Sequence, residues 1–107
     1  MTYYSYCYTI TGINNETNFI WDEPKRQSNI ERHGIDFEIA GLVLSDPNVK
    51  TRKDDRIDYG EDRFLSFGLV GELRLCLCWT PRGGKIRVIS LFRINKKDWE
   101  AEYEKHD

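Results

Sequence analysis

The chain lacks long apolar runs, has few cysteines and carries almost no net charge, and each shortage argues against a class of protein. No segment approaches the roughly 18 consecutive apolar residues of a membrane span. Three cysteines without framework spacing, and an N-terminus without a secretory signal, favour reduced thiols in the cytoplasm. The net charge of −2 argues against a protein that coats nucleic acid by bulk charge, although a local basic pocket is compatible with it.

Short catalytic motifs are also missing. The chain contains no G-x-x-x-x-G-K, H-E-x-x-H or G-x-S-x-G string and no paired C-x-x-C. Cys76 and Cys78 could supply two metal ligands, but no second Cys/His pair would complete a set of four. We therefore expect these two cysteines to be buried apolar residues, and we expect neither a metal nor a cofactor.

The composition that is present predicts one folded domain with an extension. Hydrophobic residues make up 39% of the 107 residues and aromatic residues 13%, which is enough for one modest core. Four of the six tyrosines lie at positions 3, 4, 6 and 8. We predict a Tyr-rich extension over residues 1–18, as an added edge strand or a loose arm, and a single domain over residues 19–107.

Capping residues predict three helices. Asp22 precedes a polar segment with Pro24 in its first turn and Gly34 at its end, as expected of a helix with an N-cap and a C-terminal glycine. Asp36 precedes a second, largely apolar helix over FEIAGLVL. Asn95 precedes the last helix, KKDWEAEYEKH, with an acidic residue three positions later as in a capping box.

Apolar runs separated by turn residues predict the strands. A short strand at 19–21 precedes the helices, and further strands are expected at 48–53, 63–69, 73–80 and 85–93, with tight hairpins near 70–72 and 81–84. The run LRLCLCW is nearly all apolar, as expected of a central strand that is covered on both faces. The order predicts an α+β fold in which helices pack on a four-stranded antiparallel sheet.

Arginines lie within or beside these apolar strands. Arg63 opens the first long strand, Arg87 lies inside the third, and Arg93 closes it. Arginine is costly to bury without a partner, so these side chains need either carboxylates or an anionic ligand. The acidic residues at 54, 55 and 58 could supply the carboxylates, and a phosphate could be the anionic ligand.

Six strings, in order and with matching gaps, resemble the BrnT family, the toxin component of bacterial type II toxin–antitoxin modules. The resemblance covers roughly residues 19–105. The strings are FIWDEPK at 19–25, NIERHGIDFEIA at 29–40, DP at 46–47, DDRIDYGEDRF at 54–64, LRLCLCWTPRG at 73–83 and KIRVIS at 85–90.

The resemblance implies a fold, an activity and partners. The fold would be RelE-like, with a four-stranded antiparallel sheet, two N-terminal helices and one C-terminal helix. The activity would be metal-independent cleavage of RNA that inhibits translation. The partners would be RNA and a ribbon-helix-helix antitoxin, and operator DNA would be bound only through the toxin–antitoxin complex. A homodimer formed through the Tyr-rich arm is a further alternative.

Such a ribonuclease needs cations for the phosphorane-like transition state and groups that transfer protons. We predict Arg63, Arg87 and Arg93 as charge stabilisers, and His33 and Glu61 as proton-transfer residues. Structural alternatives exist for each: His33 would suit a helix C-terminus through the helix dipole, Glu61 would suit an ion pair, and the arginines would suit carboxylate partners.

Three further residues are predicted to contact RNA. Lys25 and Arg56 would bind phosphates, and Trp79 would stack on a base, with a solvent-facing lysine and a core tryptophan as the alternatives. The family usually has arginine, histidine and glutamate where this chain has Phe92, Trp79 and Asp98. These departures motivate a second hypothesis, a catalytically silent binding module that keeps only the antitoxin interface.

Overall fold

The computed structural model describes residues 6–9 and 18–104, which form six strands and three α-helices. The strands are β1 (Tyr6–Thr9), β2 (Asn18–Trp21), β3 (Lys50–Lys53), β4 (Phe64–Val70), β5 (Leu73–Arg82) and β6 (Lys85–Arg93). The helices are α1 (Glu23–His33), α2 (Ala40–Leu44) and α3 (Lys96–Glu102), with a 3-10 turn at Phe37–Ile39 before α2. None of these described helices is long and apolar enough to cross a membrane.

All six strands form one mixed sheet in the order β1-β2-β6-β5-β4-β3. The predicted antiparallel meander from β3 to β6 is confirmed. The prediction that the sheet has four antiparallel strands is wrong, because β2 joins it parallel to β6 and β1 pairs antiparallel with β2. The α+β class is confirmed, and the RelE-like likeness stays a prediction.

The helix ends agree with most of the capping residues. Gly34 ends α1 with φ 71°, and the Asn95 side chain accepts a hydrogen bond from the Asp98 amide at the start of α3. Asp22 occupies the N-cap of α1 but makes no side-chain cap bond, since Pro24 lacks one of the amides that such a cap would use. Asp36 does cap the second segment, which is split into the 3-10 turn and α2.

The sheet buries side chains on both faces, which confirms the central position of β5. On the face that we call face 1, Leu75 and Leu77 pack with Trp21, Phe37 and Val43. The opposite face, face 2, holds a smaller cluster in which Leu65, Phe67, Cys76 and Cys78 pack with Trp99 of α3. Because successive strand residues alternate between faces, β5 contributes side chains to both clusters.

α2 packs against face 1 at very short range. A Cβ atom placed on Gly68 of β4 would lie 2.5 Å from the carbonyl oxygen of Val43. Only glycine therefore permits this approach.

α1 lies against the edge of β6, beyond the point where β2 ends. The buried Asn29 amide donates to the carbonyl oxygens of Leu91 and Ile35, at 2.8 and 2.9 Å, and its Oδ1 accepts from the Leu91 amide at 3.2 Å. One side chain thus replaces the next strand at Leu91 and fixes α1 to the sheet.

A β-bulge interrupts the pairing of β5 with β6. Cys78 pairs with Ser90, but the next residue, Trp79, pairs with Val88, so Ile89 is an extra residue in β6. Ile89 packs against the cluster of face 2. Two β6 residues that are an even number of positions apart therefore lie on opposite faces of the sheet when the bulge is between them.

Candidate active site on face 2

Two of the predicted arginines lie in one row across the sheet. Thr80 of β5 pairs with Arg87 of β6, and Phe64 of β4 pairs with Trp79, so Arg63, which directly precedes Phe64, is level with Thr80. Directly paired residues share a face, and Thr80 alternates with Trp79 and Cys78, which places the row on face 2. Thr80 is buried, and its hydroxyl donates to the carbonyl oxygen of Asp62 at 2.6 Å.

Arg93 does not join these two arginines. It pairs with Leu75, a face 1 residue, because the bulge at Ile89 reverses the parity between Arg87 and Arg93. Its Nη1 instead donates to the carbonyl oxygen of His33 at the end of α1, at 3.1 Å. Arg93, which is predicted to be a charge stabiliser together with Arg63 and Arg87, therefore lies on the opposite face of the sheet from them.

Trp79 also lies away from the row. Its indole stacks on Phe64 at 4.9 Å between ring centroids, and its Nε1 donates to the Ser66 hydroxyl on face 1. The side chain packs against the face 1 cluster. This geometry favours the core alternative for Trp79 and separates it from the face 2 arginines.

Arg63 is held by two neighbours from the preceding loop. Its Nε donates to Glu61 at 3.0 Å, and its guanidinium carbon lies 4.2 Å from the centre of the Tyr59 ring. The hydrogen bond from Arg63 lowers the pKa of the Glu61 carboxyl, and Arg82 contributes a longer contact of 3.4 Å. A glutamate with a lowered pKa is a weaker base, so the ion-pair alternative for Glu61 has gained support.

Asp54 organises the same loop from a buried position. Its carboxylate accepts two hydrogen bonds of 2.7 Å from Arg56 and one of 3.1 Å from the Tyr59 hydroxyl. The hydrogen bonds from Arg56 lower the pKa of Asp54 to about 2. Arg56 remains 66% exposed, so it can still meet solvent or a ligand while it is paired.

A groove lies between α1 and β6, and we call it the α1–β6 groove. Its cavity volume is about 460 Å³. Its lining residues are Lys25, Ser28, Asn29, Arg32 and His33 of α1 with Ile89, Ser90 and Phe92 of β6. It thus contains two of the predicted residues, Lys25 and His33, and its β6 side belongs to face 2, the face of Arg87.

The two cysteines of β5 have the predicted apolar role. Both are free and buried. Burial raises the pKa of the Cys76 thiol to about 12 and also raises the pKa of Cys78. Within residues 6–9 and 18–104, no group of three or more His, Cys, Asp or Glu side chains is arranged to hold a metal ion.

Sequence reasoning missed the support for Arg63 and part of the groove. The Tyr59 ring lies under the Arg63 guanidinium. Tyr59 is in a loop four residues before Arg63, and no sequence pattern predicts side-chain contacts across such a loop. Arg32 lies on the same stripe of α1 as Lys25, seven residues further on, and that helical spacing would have predicted a shared face. Phe92, which departs from the family pattern, forms a wall of the groove.

The chain matches the model of a known protein family. The family described as "Ribonuclease toxin, BrnT, of type II toxin-antitoxin system" matches residues 21–98, which is well over half of the chain. No curated protein matches the chain. The matched segment runs from the end of β2 to the first turn of α3 and therefore includes the face 2 row and the α1–β6 groove. The chain belongs to the BrnT family of ribonuclease toxins of type II toxin–antitoxin systems.

Proposed function

We propose that face 2 is the active site of a metal-independent ribonuclease toxin that inhibits translation. The family supplies the ribonuclease class, an RNA target and an antitoxin partner. The observation that carries the mechanism is the row Arg63–Thr80–Arg87 on face 2, which places two guanidinium groups on the sheet face that also borders the α1–β6 groove. In this mechanism the RNA 2′-oxygen attacks the adjacent phosphorus and the 5′-oxygen of the next nucleotide leaves.

Arg63 and Arg87 stabilise the negative charge that gathers on the phosphorane oxygens. Their Cα atoms are two strand spacings apart, about 10 Å, which lets two long side chains approach one phosphate. Tyr59 and Glu61 limit the orientations of Arg63, so little reorganisation is needed when charge develops. Lys25 and the exposed guanidinium of Arg56 hold RNA phosphates on either side.

His33 and Glu61 are the candidates for proton transfer. His33 lines the groove, and the bond from Arg93 to its backbone carbonyl fixes the end of α1 that carries it. Arg93 thus has a positioning role, because it holds the backbone of His33 and does not contact the phosphate. Glu61 is the second candidate, because its pairing with Arg63 places a carboxylate beside the row but weakens it as a base.

The antitoxin would cover this face. We infer a ribbon-helix-helix antitoxin whose acidic or amphipathic segment docks over the cationic groove, and a complex that binds operator DNA through the antitoxin. The Tyr-rich segment, of which residues 6–9 form the edge strand β1, would supply a homodimer contact.

Expression of the chain alone in bacteria tests the proposal. We expect growth arrest, and Arg87→Ala should relieve it and slow RNA cleavage by about 10²–10³-fold, as for loss of one transition-state donor. Lys97→Ala, an exposed change on α3, is the control. Purified protein should cleave RNA in EDTA and leave 2′,3′-cyclic phosphate ends.

Folding of the variants is checked by urea unfolding, so that loss of activity is not loss of structure. Normal growth at high soluble expression of the unmodified chain, or cleavage that stops in EDTA, would contradict the proposal.

A catalytically silent binding module is the second candidate. Trp79 and Phe92 occupy positions where the family usually has polar residues, and both are packed, Trp79 on Phe64 and Phe92 beside His33. This candidate predicts tight antitoxin binding without growth arrest. RNA cleavage that is lost on substitution of Arg87 would rule it out.

A further inference from the structure

We propose that the α1–β6 groove is a nucleotide subsite, in which the base of a single-stranded RNA nucleotide stacks on Phe92 while Lys25 and Arg32 hold its phosphate. This inference rests on the proposed function, because it places the bound nucleotide next to the scissile phosphate. It assigns to the groove a selective contact with the base that the cleavage mechanism itself does not require.

Phe92 provides the surface for stacking. It is only partly buried, although its inner side packs against the face 2 cluster. Its ring centroid lies 5.7 Å from that of His33, and the two rings are tilted by 39°, so both line the groove without closing it by face-to-face stacking. An aromatic ring that is fixed from below and open above is the platform that unpaired bases use.

The two cations of the groove differ from several arginines of this molecule that are paired with carboxylates. Arg26, Arg52 and Arg56 each form close ion pairs with carboxylates. Lys25 and Arg32 are exposed on one stripe of α1, and no carboxylate of the described residues lies within 4.0 Å of either. Two cations without acidic partners, seven residues apart on one stripe of α1, fit a phosphate at the rim of the groove.

The remaining polar groups limit what can recognise the base. The amide of Asn29 is occupied by Leu91 and Ile35, so it is structural. The Ser28 hydroxyl, from the α1 side of the groove, is a group that could contact base edges, whereas the Ser90 hydroxyl on the β6 side already forms a hydrogen bond with the Cys78 thiol. The volume of about 460 Å³ lies in the range of small-molecule sites and accommodates one nucleotide.

Binding of 5′-mononucleotides, measured by NMR titration, tests the site without any cleavage. UMP, CMP, AMP and GMP should shift the amide resonances of Ser90 and Phe92, whereas ribose 5-phosphate should bind at least tenfold more weakly, because it has no base. Equal binding of ribose 5-phosphate would reduce the groove to an anion site and overturn the proposal.

A matched pair of variants tests the stacking. Phe92→Leu keeps an apolar side chain against the face 2 cluster but removes the ring, and it should weaken mononucleotide binding about tenfold. Phe92→Tyr keeps the ring and should bind within about twofold of the unmodified protein. If Phe92→Leu binds as tightly as Phe92→Tyr, base stacking on Phe92 is wrong.

The salt dependence of binding tests the cations. The probe is a ten-nucleotide single-stranded RNA with 2′-O-methyl groups, which cannot be cleaved by 2′-oxygen attack. Lys25→Gln and Arg32→Gln should each reduce the slope of log K against log salt concentration by about 0.7, and Lys97→Gln should leave it unchanged. Unchanged slopes in both groove variants would contradict a phosphate contact.

Two results separate this inference from the proposed function. Arg87→Ala should slow cleavage by about 10²–10³-fold but leave mononucleotide binding in the groove intact. If the unmodified chain binds mononucleotides but does not cleave RNA, the nuclease mechanism fails and the subsite stands. If it cleaves RNA but Phe92→Leu changes neither affinity nor the preferred cleavage sequence, the subsite fails and the nuclease stands.

Discussion

Asp54 holds its charge in a buried position because its oxygens accept from four donor groups. Three belong to Arg56, one of them its backbone amide at 3.4 Å, and the fourth is the hydroxyl of Tyr59, whose ring lies under Arg63. One carboxylate therefore orders the loop that approaches the face 2 row. The run of acids at 54–62 predicted ion pairs with the arginines, but sequence could not assign partners, because the pairing depends on how this loop folds back.

Asp54→Asn should destabilise the protein at neutral pH. We expect the free energy of unfolding to fall by about 1–2 kcal/mol, an amount kept small because the exposed Arg56 is screened by solvent. Asp55→Asn, an exposed neighbour with the same loss of charge, is the control for urea unfolding at pH 7. Equal stability of the two variants would contradict the anchoring role of Asp54.

The same residue gives a pH dependence with a defined sign. The pKa of Asp54 is about 2 in the folded protein, below its usual value near 3.9, so its stabilising effect is complete above about pH 4. The effect is lost as the pH falls from about 4 to about 2. Urea unfolding between pH 2 and pH 6 measures this effect. As the pH falls, the free energy of unfolding should decrease less for Asp54→Asn than for the unmodified chain.

Caps and turn residues in the sequence predicted most helices and strands, but they could not predict which distant strands pair. Gly34, Asp36 and Asn95 marked helix ends, and turn residues marked both hairpins, because caps and turns are made by neighbours in sequence. The parallel pairing of β2 with β6 joins residues more than 60 positions apart. The bulge at Ile89 depends on β5 as much as on β6, so β6 alone could not predict it.

Asn29→Ala should loosen α1 from β6. The substitution removes three hydrogen bonds and leaves the backbone groups of Leu91 without their side-chain partner, which should cost about 2–4 kcal/mol in free energy of unfolding. Ser28→Ala, at the neighbouring exposed position, should change stability by less than about 0.5 kcal/mol. Similar urea midpoints for the two variants would show that α1 does not depend on this contact.

Gly68→Ala tests the packing of α2 on β4. The added methyl group would meet the Val43 carbonyl oxygen at 2.5 Å, so α2 must shift, and we expect a loss of about 1–3 kcal/mol in free energy of unfolding. Leu69→Ala, at the next and exposed position, should be milder. Thermal unfolding measures both, and a Gly68→Ala protein of unchanged stability would show that α2 can move freely.

The whole molecule is a sheet with unequal clusters on its two faces. Face 1 holds the larger cluster, whereas face 2 is covered at one end by α3 and lined at the other by arginines and the groove. α3 is fixed by Tyr103, which donates to Asp46 at 2.7 Å, and by Glu102, which accepts two bonds from Arg52. The family was predictable from ordered strings of residues, and the α+β class from the order of predicted helices and strands. Which of the predicted residues share a face of the sheet depended on the strand register, which the sequence did not provide.

Thiol labelling should report the opening of α3. The double variant Tyr103→Phe with Glu102→Gln, made in a Cys7→Ser background, weakens the contacts of α3 to Asp46 and Arg52. Cys76 packs in the same cluster as Trp99 of α3, so its alkylation at pH 8 should become about tenfold faster in this variant. Glu100→Gln, whose 4.0 Å contact to Lys96 is exposed, is the control. Labelling at an unchanged rate would mean that α3 opens only with the whole domain.

The extra residue at Ile89 has a consequence for how this protein can change in length. Removing Ile89 would join Val88 to Ser90, and the pairs Trp79–Val88 and Cys78–Ser90 would then follow each other without an extra residue. Arg87 would stay on face 2 and Arg93 on face 1, and the face 2 cluster would lose only the Ile89 side chain. Lineages of this protein should therefore tolerate the loss of one residue at this bulge more readily than the loss of one residue in β5, where every residue from Leu75 to Arg82 has a partner in β6.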